Sequence, residues 1–183
     1  MRQKLHLLTL KPKEFGREAF RYVFINKKNV IVTNAFALVI HMSDEILPQY
    51  FVDSLPDGDW LIKPEAAKAM NDPKSVYSIE NGVLVVVSGK NQKMLFDLIP
   101  LKDVEDGEML LKSDEVVPKE FNKEVNTIGV NPLLLYNTIQ AIDPDCDGAK
   151  LSFCDDYRAI KVEVIGSSVC LYKAIIMPMM INQ

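Results

Sequence analysis

Three groups of three short runs, rich in β-branched and aromatic residues, limit what this chain can fold into. The first group is FRYVFI (20–25), NVIVT (29–33) and FALVIHM (36–42), separated by NKK and NA. The second, after Pro73, is SVYSI, GVLVVVSG and KMLFDLIP, with ENG at 80–82 between its first two members. The third, after Gly148, is AKLSF, AIKVEVIG and VCLYKAIIMP. Short alternating runs bounded by Asn, Gly and Pro read as strands joined by hairpin turns, so the chain is read as mainly antiparallel sheet.

Each group follows a proline able to open a helix, because the first helical turn does not use the N–H that proline lacks. In NPLLLYNTIQAI (131–142), Asn131 is placed to cap, Pro132 takes the first position, and Leu135, Ile139 and Ile142 share a face. KPEAAKAM (63–70) is a shorter, alanine-rich helix, and in KPKEFGREAF (11–20) Gly16 opposes helix formation. Helices are therefore expected near 64–71 and 132–142. Equal intervals separate Pro12 from Pro48 and Pro64 from Pro100, and a longer one separates Pro132 from Pro178. The chain thus reads as an α+β fold of three copies of strand, helix and three strands, antiparallel with short helices on one face. The charged stretch from Leu101 to Val125 belongs to no copy. Residues 1–105 are expected to form a domain of two half-units, 106–125 a connector, and 126–183 a C-terminal half-unit.

Few kinds of chemistry fit this sequence. His6 and His41 are the two histidines, and neither lies in a nucleophile, metal or phosphate motif. DPDCDG (143–148) opens like a calcium loop, but Cys154 stands where the twelfth-position Glu is required, so it reads as a polar turn. Carboxylate pairs such as Asp114-Glu115 and Asp155-Asp156 read as solvated turns. Cys146, Cys154 and Cys170 lack CxxC spacing and read as small buried hydrophobes. The sequence points to no enzyme, no metal and no cofactor. Its apolar runs fall short of the roughly 20 residues that cross a bilayer, and the stretch around His6 is too short for a secretory core, so a cytoplasmic location with no membrane partner is expected.

A net charge of −4 excludes a uniformly basic nucleic-acid coat while leaving room for a local basic lining. Lys11, Lys13, Arg17, Lys63, Lys68 and Lys74 are candidate contacts to duplex DNA, since phosphates require positive charge and spacing rather than base-reading groups. The alternative is a solvated face. The chain also ends on an apolar stretch running from Ala174 to Ile181, and an unfolded tail of that composition gains nothing by ordering unless it is docked. It is either a last core strand or a strand followed by residues laid along a groove.

VNPLLLYNTIQAI, AKLSF, AIKVEVI and CLYKAIIMPMMI together resemble the last half-domain of the bacterial DNA polymerase III beta subunit, the sliding clamp. That family closes on a Met-Pro-Met-Arg-Leu type ending, and here Met177-Pro178-Met179-Met180-Ile181 stands in its place. NVIVTNAFALVIHM is similar to the clamp strands around a T-D-G-H-R-L-A type turn, with Phe36-Ala37 replacing the His-Arg pair. The resemblance covers most of the chain as repeat architecture, but three half-units make about half of a clamp. It implies a shortened, non-enzymatic processivity or tethering factor in DNA replication that forms a homo-oligomer by head-to-tail contacts and holds duplex DNA without reading its sequence. It also implies that Met177, Pro178, Met179, Met180 and Ile181 help form a site where replication proteins dock a short clamp-binding peptide. The other reading is a clamp-fold module that binds a peptide but forms no ring and holds no DNA.

Overall fold

The computed structural model describes residues 1–11, 13–14, 16–121, 128–154, 159–170 and 172–179. After a 3₁₀ stretch at Leu5–Leu8 and another at Glu18–Arg21, strands β1 (Val23–Ile25), β2 (Asn29–Thr33) and β3 (Ala37–Met42) form a meander. Two short helices follow, α1 (Ser43–Ile46) and α2 (Gln49–Ser54), then β4 (Trp60–Ile62) and α3 (Pro64–Met70). A second meander is made by β5 (Val76–Glu80), β6 (Val83–Val87) and β7 (Lys93–Asp97). Next come β8 (Ile99–Pro100), a 3₁₀ stretch at Leu101–Asp103, α4 (Glu108–Leu111) and a 3₁₀ stretch at Ser113–Val116. The chain closes with α5 (Pro132–Ile142), β9 (Gly148–Phe153), β10 (Ile160–Ile165) and β11 (Tyr172–Ile176).

Eight strands make one sheet in the order β8-β4-β1-β2-β3-β11-β10-β9, and β5-β6-β7 make a second. The join between β3 and β11 runs from Ala37↔Ile176 to Tyr172↔His41 and sews the third strand group onto the first. Side chains alternate across this sheet as a pleat requires. Val23, Ile25, Val39, Ala174 and Ile176 point to a core shared with Leu5, Leu8, Ala66, Met70, Ile142 and the inner side of the second sheet. Phe24, Ile31, Leu38, Ile40 and Ile175 point the other way, where Leu101 and, from the connector, Leu110 cover them. The charged stretch after Pro100 therefore has a task, which is to keep water off the outer face of the large sheet.

The two expected helices form for the reasons their sequences give. Asn131 Oδ1 accepts from the N–H groups of Leu133 and Leu134 at 3.0 and 3.1 Å, and both α3 and α5 begin on proline. Elsewhere the repeat is looser. FRYVFI is a strand only from Val23, because Phe20 and Arg21 belong to a 3₁₀ stretch. No α-helix lies among the described residues of 11–20; Pro12 and Phe15 fall outside them. A strand precedes the helix in the second copy, as β4; in the third only the bridge Gly129↔Met179 does, and in the first no strand does among the described residues.

Candidate functional site

The turn between β2 and β3 is built to expose one side chain. Asn34 Oδ1 accepts from the N–H of Phe36 (3.1 Å) and of Ala37 (2.9 Å), while Thr33 Oγ1 donates to Ala37 O at 2.8 Å. These bonds hold Ala35 at φ +73°, a left-handed state that costs about 1–2 kcal/mol for a residue with a Cβ. Phe36 is left 62% exposed, and its carbonyl accepts from Met177 N–H at 2.7 Å, which ties the end of β11 to the turn.

On one side of Phe36 and Met177 lies a hollow of about 320 Å³, bordered by Phe20, Thr33, Leu38 and Ile175 and closed by Met109, Leu110, Ser113 and Val116 of the connector. Among the described residues no charged side chain lines it. On the other side lies a wider hollow of about 610 Å³, bordered by Leu7, Leu133, Leu134, Pro178 and Met179 and by the polar groups of Thr9, Lys11, Glu14, Asn34, Asn131 and Asn137. Phe36 and Met177 border both, so a dry hollow and a polar one lie side by side, and we call the two the dry and polar compartments of one groove. A surface of this kind binds by apolar contact and amide hydrogen bonding.

Met177, Pro178 and Met179 thus lie together beside the groove, with Met179 N–H donating to Gly129 O at 2.8 Å; Met180 and Ile181 lie outside the described residues. The six basic candidates are not gathered in one patch. Lys63 caps the start of α3, Lys68 is one turn along, and Lys74 is in the turn before β5, all exposed. Lys11 borders the polar compartment, and Lys13 is exposed in the turn that follows. Arg17 faces the connector, with Nη1 3.7 Å from Asp106. No pattern in the sequence marks Met109, Leu110, Ser113 and Val116 as a wall of the groove, because they are sparse apolar and small residues in a charged stretch. Nor was the setting of His6 visible: burial first, then the charges of Lys68 and Lys4, push its imidazole below the ordinary value.

Other titratable groups have structural surroundings. Asp143, which ends α5, accepts from Ser167 Oγ, Ser168 N–H and Asp145 N–H at 2.8, 2.9 and 3.1 Å. Burial alone would raise its pKa, but these bonds together hold the carboxyl below its ordinary value. Among the described residues no cluster of His, Cys, Asp and Glu is arranged to hold a metal ion, and no helix is long and apolar enough to cross a membrane.

No protein-family model matches the chain, and no curated protein matches it in sequence. Solved structures do match in fold. The DNA polymerase sliding clamp from Pseudomonas aeruginosa aligns over 98% of this chain and 64% of its own, at TM-score 0.56 and 9% identity. The DNA polymerase III beta chain from Streptococcus pneumoniae aligns over 97% and 62%, at TM-score 0.58 and 11% identity. For the DNA polymerase beta subunit of Streptococcus pyogenes the figures are 96% and 62%, with TM-score 0.57 and 10% identity. The chain has the sliding-clamp fold and spans less than two thirds of the length of these clamps.

Proposed function

We propose that this chain is a cytoplasmic, non-enzymatic clamp-like tether: it associates with copies of itself, contacts duplex DNA without reading sequence, and holds a replication protein through a short peptide. The observation that carries this reading is the groove. Its dry compartment takes large apolar side chains, and its polar compartment offers three asparagines and the Lys11 and Glu14 side chains to the rest of the peptide. Methionine suits such a surface because its flexible thioether adapts to different occupants.

Self-association is supported by unpaired sheet edges, which attract further strands. Among the described residues, β8 and β9 end the large sheet, and β5 and β7 end the small one. Lys150 on β9 is exposed, 4.0 Å from Glu163; on the small sheet Glu80 of β5 is paired with Lys93, while Asp97 of β7 is exposed beside Val83, so the β7 edge offers Lys150 an acid. Lys63, Lys68 and Lys74 supply the charge for a phosphate contact.

The test is fluorescence anisotropy with a labelled peptide carrying adjacent leucine and phenylalanine. The wild-type chain is expected to bind it, and Phe36→Ala to weaken binding by about 30-fold, the effect of losing a central aromatic worth roughly 2 kcal/mol. Equal binding by both chains would overturn the docking reading. One observation favours the second reading, a peptide-binding module that holds no DNA: α5 carries no basic residue and exposes Leu133 and Tyr136.

A further inference from the structure

We infer that Arg17 and Lys173 are positioning residues for the groove, clasping the connector at both ends of α4 and so fixing the wall that closes the dry compartment. The inference rests on the docking reading above and specifies how that site is regulated.

The two sides of the dry compartment differ in how they are held. Thr33, Leu38 and Ile175 stand on central strands of the large sheet, whereas Met109, Leu110, Ser113 and Val116 stand on four-residue helical pieces. Pieces this short do not persist by their own hydrogen bonds. Leu110 is a buried anchor at 1% exposure, but Met109, Leu111 and Val116 are 41%, 49% and 62% exposed. Just before α4, Asp106 holds φ +60°, a left-handed state that Asp tolerates better than most residues with a Cβ but that still gains from a side-chain partner.

Two ion pairs meet this need. Asp106 Oδ1 lies 3.7 Å from Arg17 Nη1, and beyond α4 Asp114 Oδ1 accepts from Lys173 Nζ at 2.9 Å. The acids bracket the wall. The bases adjoin the opposite side: Arg17 leads into the 3₁₀ stretch that carries Phe20, and Lys173 is two positions before Ile175 on β11. Each pair therefore links the movable wall to the fixed one. Their side chains are about half exposed, so the pairs add little to global stability and are screened by salt. A segment with few buried anchors opens locally at small cost, so a weak clasp can decide its position. A groove without charge in its dry compartment should then bind an uncharged peptide more weakly as NaCl rises, whereas apolar contact alone gives no such weakening.

Hydrogen exchange of the free, full chain tests the clasp without any peptide. In Arg17→Gln/Lys173→Gln, amides of 104–117 should exchange about threefold faster for each pair lost, while those of β2 and β3 keep their wild-type rates. In the wild type, about 0.5 M NaCl should reproduce the effect, and it should add nothing in the double variant. Exchanging the partners in Lys173→Asp/Asp114→Lys should restore protection. Unchanged exchange in 104–117 would overturn the clasp, and so would an equal rise across β2 and β3. The leucine-phenylalanine peptide separates the two ideas: salt-sensitive exchange with no peptide binding keeps the clasp and removes the docking reading, and salt-independent peptide binding with unchanged exchange does the reverse.

Discussion

His41 is fully buried on β3, with Nε2 2.9 Å from the carbonyl of Ala141 in the last turn of α5. Neutral imidazole meets this setting by donating from Nε2, which leaves Nδ1 without a partner among the described residues. Burial pulls the pKa down from 6.5 to about 4, with the Ala141 carbonyl and the Asp143 charge offsetting only part of the loss. A group depressed in this way is more protonated in the unfolded chain, so it withdraws stability as pH falls from its unfolded value to its folded one. That window runs from 6.5 down to about 4, and across it the loss amounts to roughly 3 kcal/mol. Asp143, also lowered, acts further down, as pH falls from its ordinary carboxylate value through its folded one. His41→Gln retains a donor for Ala141 but cannot titrate. Urea unfolding at pH 7 and pH 4.5 should therefore show a smaller acid loss in the variant, by about 2 kcal/mol; equal losses would mean that His41 is already solvated.

Strand β11 serves two cores at once, and this separates the parts of the C-terminal stretch. It lies between β3 and β10, with Ile176 fully buried on the helix side and Ile175 at 6% exposure on the connector side. Ile176→Ala should cost about 2–5 kcal/mol, because the hole it leaves is enclosed. A chain ending at Pro178 gives up much less: the bridge from Met179 to Gly129 and a 52% exposed methionine beside the polar compartment. Its melting temperature should fall by only about 2–4 °C, one hydrogen bond's worth, while peptide binding weakens. Unfolding on truncation would make the last residues core and remove them from the groove. That Tyr172–Ile176 is a strand was legible in its β-branched and aromatic residues, whereas the burial of both its faces was not. The capped start of α5 and the proline start of α3 were equally plain, because local hydrogen bonding and ring geometry decide them. What could not be read was set at long range. The pairing of β3 with β11 joins residues far apart in sequence, and the folding of the connector onto the sheet depends on the apolar face it covers. The Ser43–Ile46 and Gln49–Ser54 helices carried no clear period and owe their place to packing such as Phe51 on Tyr77, ring centroids 5.0 Å apart.

The proposed assembly and its proposed contact with DNA rest on the lysines at and after α3. Lys63 and Lys68 are exposed on α3 and Lys74 follows it, whereas Lys4 donates to Gln140 at 2.5 Å and Arg2 lies 3.6 Å from Asp145. The group of Lys63, Lys68 and Lys74 therefore offers three charges to a phosphate backbone, and a protein of net charge −4 gains no general attraction to compensate. Contact this sparse is weak for a single copy and becomes useful only when copies act together, since linking sites multiplies affinity without new contacts. Two measurements then have to agree. Light scattering over a range of concentrations should show a discrete oligomer, and Lys150→Glu should shift it toward monomer by placing like charges at the β9 edge. Binding to a short duplex should lose affinity with salt at a log-log slope of about −0.9 for each phosphate engaged. The substitution of Lys63, Lys68 and Lys74 by Glu should abolish it in the intact oligomer. If the oligomer forms but its DNA affinity ignores both salt and the triple substitution, those lysines are a solvated face. A chain that stays monomeric at high concentration yet still binds peptide would be a docking module that has kept the clamp fold without the ring.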